Sequence, residues 1–434
     1  MMTLYKNCKL FDGQNNEVKN NAWLLVNDQG KIENIGSGDA TNIDFDKEVD
    51  LQNKYVIPGL INCHTHIMWN SVTNKETYMS ETEVTLQALE NLHDALQQGM
   101  TYIRDCGCAF NVDIKLANFQ KDGAHKFVGP EIMPSGMPMS ITGGHGDFPE
   151  DLDGRVCWSH LVDSPDEMRK AVRKNFKLGA KNIKIMSTGG VMSSTDTYED
   201  TEFTVAEIKT AVEEAHSKHM TVASHAEGEG GIHRSILAGV DSIEHGSYIN
   251  DEDIEMMKEK GMYLVPTYYS AYAMPAFGKG KIPDYMIDKC NALFEDHKKH
   301  VTHAIKSGVK FAWGTDAGTP FNGFKDALKE YLIESECGLS NFEILHAATV
   351  RSADLMGILD NYGTLEKGKF ADFLVLDENP LDNIKAVLQN NKQVYKKEFV
   401  ISKFKIERNK NTRKVNTNLR ESIKLLSCSL VLFL

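Results

Sequence analysis

Two histidines separated by one residue, His64 and His66, follow an apolar run in the segment VIPGLINCHTHIMWN. Side chains at positions i and i+2 of a β-strand point to the same face, so we expect the two imidazoles to leave the strand end side by side. Neutral imidazoles that converge on one point suit a borderline-soft divalent cation such as zinc. Surface histidines also pair by chance, so this interpretation depends on whether other strands supply further ligands.

Polar residues also end or interrupt four other predicted strands. Lys184 interrupts the apolar run NIKIMS, and the runs TVASH, SIEH and KFAWGTD carry His225, His245 and Asp316. Each has a simpler explanation, since a strand-end histidine can be a structural hydrogen-bonding residue and Asp316 can cap the next helix. An unpaired lysine in a buried strand is harder to explain without a function, because a buried charge is unfavourable. Together with the histidine pair, these residues indicate one common site.

The strands that would carry these residues alternate with helical segments between residues 58 and 357. The predicted strands are LINCH, TYIRDC, EIMPSG, NIKIMS, TVASH, DSIEH, MYLVPT and KFAWGTD. Between them, segments such as TEVTLQALENLHDALQQG and TVAEIKTAVEEAHSKH have apolar residues spaced by three and four, which is the period of a helix. This alternation predicts an α/β fold, a (β/α)8 TIM barrel with its active site at the C-terminal ends of the strands.

Short β-type runs at both ends of the chain predict a second, smaller domain. Residues 1–57 contain KNCKLFDG and NNAWLLVNDQGKIENIG, and residues 358–401 contain GTLEKGKFADFLVLDENP and KAVLQNNKQVYKKEFV. We expect these runs to form one small β-sandwich beside the barrel of residues 58–357. Residues 402–434 form a basic tail that we expect to be poorly ordered, with a membrane-touching or partner-binding tail as the alternative. The apolar end of this tail is too short to span a bilayer.

The composition limits the class of protein. A chain of 434 residues can hold a barrel of about 250 residues and further elements. The formal net charge of -13 argues against nucleic acid as a partner. The eight cysteines have no regular spacing, and the start MMTLYKNCKLFDG lacks the apolar segment of a signal peptide. We therefore expect reduced thiols, a cytoplasmic location and no membrane span.

In several motifs the chain resembles the amidohydrolase superfamily, and within it the binuclear members with a carboxylated lysine. The motifs are VIPGLINCHTH, IKIMSTGGVMS, SHAEG, SIEHG and GTDAG, in that order. The segment PSGMPMSITGGHGD resembles the branch of imidazolonepropionase-related hydrolases and Xaa-Pro dipeptidase-like metallopeptidases. The resemblance covers about residues 3–400, includes the split β-sandwich and leaves out the tail.

The resemblance implies two divalent metal ions, zinc by default, and assigns their ligands as His64, His66, Lys184, His225, His245 and Asp316. Lys184 would react with carbon dioxide to form a carbamate that bridges the ions. A hydroxide between the ions would be the nucleophile, because metal binding lowers the pKa of water to about 7. Asp316 would accept its proton and pass it to the departing amine. The metal bound by His225 and His245 would polarise the scissile carbonyl.

Three further residues are candidates for contact with the substrate. His145 lies in ITGGHGD, whose glycines let the backbone approach a ligand, and its imidazole could donate to the oxyanion of a tetrahedral intermediate. The alternative is a turn residue without a partner. The segment EGEGGIHRS places His233 and Arg234 at the predicted mouth of the pocket, where they could bind a substrate carboxylate.

Three functions remain open on this basis. The first is a binuclear metallohydrolase that cleaves the amide bond of a dipeptide, Xaa-Pro-like, or of an N-acyl amino acid. The second is a mononuclear deaminase or a hydrolase of a cyclic amide of the imidazolone type. Such enzymes lack the bridging lysine, so Lys184 argues against them. The third is an inactive barrel that serves as an assembly module, although inactive relatives lose ligands and this chain keeps all of them. The expected partner is a small-molecule substrate, and a homo-oligomer is possible.

Overall fold

The computed structural model describes residues 1–40, 43–72, 79–122, 129–147, 158–397 and 399–401. The predicted tail of residues 402–434 lies outside the described residues. Hydrogen bonds group the strands into two parallel sheets and one mixed sheet, and helices follow most of the parallel strands. No described helix combines the length and the apolar character needed to span a lipid bilayer.

The strands differ widely in length, and the longest of them leads into the first parallel strand. Their bounds are β1 Thr3–Leu10, β2 Lys19–Val26, β3 Ile32–Ser37, β4 Lys47–Pro58, β5 Leu60–Thr65, β6 Met100–Asp105, β7 Glu131–Met133, β8 Met139–Ser140, β9 His160–Leu161, β10 Asn182–Met186, β11 Thr221–Ala226, β12 Ser242–His245, β13 Tyr263–Val265, β14 Lys310–Phe311, β15 Phe373–Leu376, β16 Gln393–Lys396 and β17 Phe399–Ile401. Each predicted strand segment of the barrel contains an observed strand. The two-residue strands β8 and β9 were not predicted, because so short a run leaves no period in the sequence.

The α-helices are α1 Glu81–Gln97, α2 Val112–Lys121, α3 Pro165–Leu178, α4 Val205–His216, α5 Glu229–Ala238, α6 Asp251–Lys260, α7 Tyr268–Phe277, α8 Asp284–Lys306, α9 Glu330–Glu336, α10 Asn341–His346 and α11 Ser352–Leu355. Short 3-10 turns cover Ala109–Asn111, Ala327–Lys329 and Ile384–Leu388, and a π-turn covers Ala347–Arg351.

Local sequence signals begin and end the helices. Before α4, the side chain of Thr204 accepts a hydrogen bond from the backbone N–H of Glu207, whose own side chain accepts from the backbone of Thr204. Helices α3, α5 and α6 end at Gly179, Gly239 and Gly261, each in the left-handed conformation that glycine adopts without strain. The chain can therefore turn back to the next strand within a few residues, which keeps the strand ends at a common edge.

The parallel strands form a three-stranded sheet of order β5-β6-β7 and a seven-stranded sheet of order β14-β13-β12-β11-β10-β8-β9. Backbone hydrogen bonds connect the two sheets at both sides. The N–H of Cys63 on β5 donates to the carbonyl of Trp313, just after β14, at 2.8 Å. The N–H of Lys181, before β10, donates to the carbonyl of Pro134, just after β7, also at 2.8 Å. The ends of the first and last parallel strands consequently lie side by side.

Strands from both ends of the chain form the third sheet, of order β17-β16-β15-β4-β1-β2-β3. Strand β15 runs antiparallel to β4, with Phe373 opposite Pro58, and β1 runs parallel to β4. A separate apolar core lies on this sheet and includes Tyr5, Leu24 and Phe373. Because only Gly59 separates β4 from β5, the sheet also fixes where the first parallel strand begins.

Candidate active site

The residues singled out as ligands line one cavity with an empty volume of about 520 Å³. They come from the ends of separate parallel strands or from the residues just after them. Four of them lie on β5, β10, β11 and β12, whereas His66 directly follows β5 and Asp316 follows β14. The lining residues that were predicted to be metal ligands are His64, His66, Lys184, His225, His245 and Asp316. Side chains far apart in the sequence thus meet at one edge of the parallel strands.

His64, His66 and Asp316 form the tightest group in the cavity. The Nε2 atoms of His64 and His66 lie 3.4 and 3.2 Å from Oδ1 of Asp316. One potential ligand atom from each residue lies within 4.8 Å of the others. The backbone brings the two strand ends together, since the N–H of Asp316 donates to the carbonyl of His64 at 2.8 Å.

The hydrogen bonds of the Nδ1 atoms determine which nitrogen of each ring carries the proton. Nδ1 of His64 lies 2.7 Å from Oε2 of Glu244, which as a carboxylate can only accept, so Nδ1 carries the proton. Nδ1 of His66 likewise donates to the carbonyl of Gly107 at 3.2 Å. Both Nε2 atoms therefore present lone pairs to the carboxylate of Asp316.

Acceptors that converge in this way repel one another unless a cation lies among them. Nε2 of His64 is buried and has no hydrogen-bond partner among the described residues. Two imidazole nitrogens and a carboxylate oxygen are also a preferred ligand set of zinc and of related divalent metals. The first group of residues therefore fits a metal ion.

His225 and His245 form a second group beside the first. Nε2 of His225 donates to the carbonyl of Gly189 at 3.2 Å, which leaves Nδ1 with its lone pair. Nδ1 of His245 lies 2.6 Å from Oγ1 of Thr267, which leaves Nε2 as the nitrogen available to a ligand. The ring centroids of His225 and His245 are 4.7 Å apart, and those of His245 and His64 are 5.1 Å apart. The two groups are thus close enough to form one centre.

Lys184 lies on β10, the strand next to the one that carries His225. Its side chain lines the cavity although the residue is only 1% exposed. No carboxylate or carbonyl of the described residues makes a hydrogen bond or ion pair with its amine. A buried amine without a partner among the described residues is unfavourable, so Lys184 is a candidate for chemical modification or for contact with a ligand.

Burial also sets the protonation states that ligands need. It lowers the pKa of His64, His225 and His245 well below the usual range, so that these rings are neutral at pH 7. Burial alone would raise the pKa of Asp316, but the contact with His66 and the neighbouring His64 and Lys184 together outweigh it and lower the pKa. The site therefore offers neutral imidazoles and an ionised carboxylate.

The backbone is left-handed at two of the ligands, with φ of 69° at His245 and 56° at Asp316. Such angles are uncommon for residues other than glycine, and they cluster at functional sites where the surrounding structure enforces them. Thr267, which contacts His245, has φ of 56° as well. Buried Glu330 holds the chain just after it by accepting from the N–H groups of Tyr268 and Tyr269, both at 2.6 Å.

His145 also lines the cavity, where its ring stacks on His225 with the centroids 4.5 Å apart. Its Nδ1 lies 3.4 Å from Oδ2 of Asp196, and its backbone N–H donates to the carboxylate of Glu202. Gly190 faces the ring so closely that a Cβ there would lie 2.6 Å from Cε1 of His145. The loop after β10 can approach the imidazole only because this residue has no side chain.

The structure does not bring His233 and Arg234 to the cavity, contrary to the prediction from the sequence. Nδ1 of His233 lies 2.8 Å from Oδ1 of Asp253 on α6, and Nη1 of Arg234 donates to the carbonyl of Phe203 at 2.9 Å. The reason is that both residues lie within α5, whose turns direct them to neighbouring segments of chain. In this structure they are not placed to bind a substrate carboxylate.

Sequence reasoning missed a buried ion pair behind the metal ligands. Nη2 of Arg104 lies 2.6 Å from Oε1 of Glu244, and both side chains are fully buried. The other carboxylate oxygen of Glu244 is the one that accepts from His64. Polar residues inside the apolar runs TYIRDC and DSIEH were the only signal, and neither run shows that the two side chains meet.

A second residue missed from the sequence is Glu227, which lines the cavity two positions after His225. Burial raises the pKa of Glu227 to about 8. Its signal was the acidic residue in SHAEG, at a position that places it on the same side of the chain as the histidine.

Comparisons with known proteins bear on what this site does. The profile of the Amidohydrolase family matches residues 55–403. Ochratoxinase from Aspergillus niger is 32% identical over 417 residues, which cover 87% of this chain and 82% of that protein. Imidazolonepropionase from Pseudomonas putida (strain GB-1) is 23% identical over 422 residues, which cover 88% of this chain and 94% of that protein. A crystal structure of a Xaa-Pro dipeptidase with bound methionine in the active site is 30% identical, with a TM-score of 0.85 and coverage of 93% of this chain and 100% of that chain.

The chain therefore belongs to the amidohydrolase family. As a member of that family it is a hydrolase that acts on carbon–nitrogen bonds. The family expected from the five motifs is confirmed, as is the fold of that family with its mixed α/β content.

The ion pair between Arg104 and Glu244 yields a first prediction. Replacing the carboxylate in Glu244→Gln leaves Arg104 buried without a counter-ion, so the free energy of unfolding of the metal-free protein should fall by about 3 kcal/mol. The amide also holds His64 less firmly, so the affinity for zinc should fall by roughly 10- to 100-fold. Denaturant unfolding and zinc titration measure the two effects. The exposed Glu252→Gln serves as control, and an unchanged zinc affinity in Glu244→Gln would contradict the positioning role.

Proposed function

We propose that this chain is a binuclear metal-dependent hydrolase that cleaves the amide bond of a dipeptide or an N-acyl amino acid. The observation that carries the proposal is the convergence of unprotonated imidazole nitrogens on the carboxylate of Asp316, with buried Lys184 in the same cavity. A mononuclear deaminase would have no use for a lysine at this position, so Lys184 favours the binuclear alternative.

The donor atoms suggest how the ligands divide between two metal ions. In this proposal His64, His66 and Asp316 hold one ion, and His225 and His245 hold the other. Lys184 could be carboxylated by carbon dioxide, and the carbamate would then offer the ions further oxygen ligands and would replace a repelling cation by an anion. Zinc is the expected metal, although other divalent metals also accept nitrogen and oxygen ligands.

The chemistry follows from which groups can hold or move a proton. The ions, when bound, supply a nucleophile from water at neutral pH and polarise the scissile carbonyl. Asp316 is the carboxylate placed to accept the proton of the attacking water and to deliver it to the departing amine. His145 is the residue we assign to stabilise the oxyanion, because its imidazole lines the cavity and its Nδ1 lies 3.4 Å from Oδ2 of Asp196, which holds the ring in place.

We also propose that the parallel strands close into a single (β/α)8 barrel over residues 58–357. The hydrogen bonds from β5 to the chain after β14 and from β10 to the chain after β7 support closure on both sides. The separate apolar core of the mixed sheet supports a β-sandwich made from residues 1–57 and 358–401.

The cavity and the relatives support the choice of substrate. Trp69, Met186, Met192 and Met274 give the cavity apolar walls, which suit an apolar side chain next to the amide bond. The similar proteins include a Xaa-Pro dipeptidase and an ochratoxinase. A cytoplasmic location remains part of the proposal, and the free cysteines of the described residues fit a reducing compartment.

Lys184 provides the sharpest test of the binuclear centre. Lys184→Ala should lose the bridging oxygens, and with them at least one of two bound metal ions per chain and nearly all amide hydrolysis. Added acetate or propionate should restore part of both by replacing the bridging carboxylate. Metal analysis and activity assays measure the effects, with exposed Lys181→Ala as the matched control. Full activity and unchanged metal content in Lys184→Ala would rule out the carbamate bridge.

Asp316 provides a test of proton transfer. Asp316→Asn keeps the size and one carbonyl ligand but cannot take up a proton, so kcat should fall by about 10²-fold or more. Circular dichroism should show an unchanged fold. The control variant Asp326→Asn, at a half-exposed position, should keep the turnover of the wild type. If Asp316→Asn turns over normally at saturating substrate and metal, another group moves the proton.

A further inference from the structure

Glu227 is a buried carboxylate in the cavity for which the proposed chemistry has no use. The residue is 5% exposed and lines the same cavity as the metal ligands. Its Oε2 is buried and makes no hydrogen bond with any residue that the structure describes. A buried carboxylate without a donor is unfavourable, and such a group is explained when a ligand brings the missing donor.

The backbone of Glu227 is held firmly in place. Its N–H donates to Oγ1 of Thr188 at 3.0 Å, and its carbonyl accepts from the N–H of Tyr248 at 2.8 Å. The residue comes two positions after His225, and both side chains line the same cavity. The backbone is therefore fixed at this point, and the buried side chain lines the cavity that also contains the proposed metal ligands.

No lysine or arginine of the described chain neutralises this carboxylate through an ion pair. Lys184 is the only lysine or arginine among the described lining residues, and the proposed centre uses it. The amine of nearby Lys289 is occupied, since it donates to the carbonyls of Gly190, Ser193 and Asp196 at 2.9, 2.8 and 2.5 Å. A positively charged donor on the substrate would supply the missing partner and would hold Glu227 in its ionised form.

We propose that Glu227 binds a protonated amine of the substrate, which makes it a determinant of specificity for unblocked dipeptides. The inference rests on the proposed amide hydrolysis. In a dipeptide only one carbon separates the α-nitrogen from the scissile carbonyl carbon, so the α-ammonium must lie near the metal ligands, where Glu227 lies. An ammonium on the side chain of the substrate is the other source of the same chemistry.

The surroundings strengthen such a contact. Met186, Met274 and Leu293 line the same cavity as Glu227 and make part of its wall apolar. An ion pair is stronger in a region of low dielectric constant than at the surface. An N-acyl group would instead leave the carboxylate without a donor, so the cavity discriminates between free and blocked amines.

The test compares matched substrates with the zinc-loaded enzyme. Apolar Xaa-Leu and Xaa-Pro dipeptides, their N-acetyl forms and N-acetyl-Lys-Leu are assayed with the wild type, Glu227→Gln and Glu229→Gln. Exposed Glu229 is the matched control. We expect kcat/KM of the wild type to be roughly 10- to 100-fold higher for free dipeptides, the range expected for a hydrogen bond to a charged group. Glu227→Gln should lose this preference mainly through slower hydrolysis of free dipeptides, and Glu229→Gln should keep it.

The outcomes separate this inference from the function on which it rests. Equal rates for free and acetylated dipeptides in the wild type would overturn the inference and leave amide hydrolysis standing. Loss of a metal ion from Glu227→Gln would also overturn it, because Glu227 would then be a ligand. Hydrolysis of N-acetyl-Lys-Leu but not of N-acetyl-Leu-Leu, abolished in Glu227→Gln, would support Glu227 and assign the side-chain amine as the source.

Failure to hydrolyse any of these peptides would overturn the proposed function instead. Calorimetric binding of Leu-Leu and N-acetyl-Leu-Leu to the same enzyme would then decide the role of Glu227. Tighter binding of the free dipeptide by the wild type, lost in Glu227→Gln, would support the contact. Equal binding of both peptides would overturn it.

Discussion

The site depends on the placement of several buried hydrogen-bond acceptors in one cavity. The Nε2 atoms of His64 and His66 both face Oδ1 of Asp316, and none of these atoms has a proton to share in the tautomers that the outer hydrogen bonds fix. Acceptors that face one another in this way repel, so the surrounding structure must hold them in position. A divalent cation bound among these acceptors would attract each of them and so offset their mutual repulsion.

Contacts from the surrounding structure hold the acceptors in position. The pair of Arg104 and Glu244 satisfies two buried charges and at the same time orients His64. Left-handed backbone at His245 and Asp316 turns the chain sharply at the strand ends. Strain of this kind persists because the neighbouring sheet and helices over-determine the position of the backbone. The fold thus tolerates local backbone strain at positions where the ligands must keep the geometry that the chemistry requires.

The sequence was sufficient to predict the elements whose signals are local. The two-residue period placed His64 and His66 on one face, and apolar runs located each long strand of the parallel sheets. Contacts between distant segments have no such signal, so the pair of Arg104 and Glu244 was missed. His233 and Arg234 were misplaced for a related reason, because the direction of a side chain on a helix depends on the rotation of that helix against its neighbours.

X-ray diffraction at the zinc absorption edge tests the binuclear centre most directly. A binuclear centre should give two anomalous peaks about 3.5–4 Å apart, one beside His64 and one beside His225. Continuous density from Nζ of Lys184 should reach both peaks, as a carbamate would. A single peak together with an unmodified Lys184 would rule out the binuclear centre.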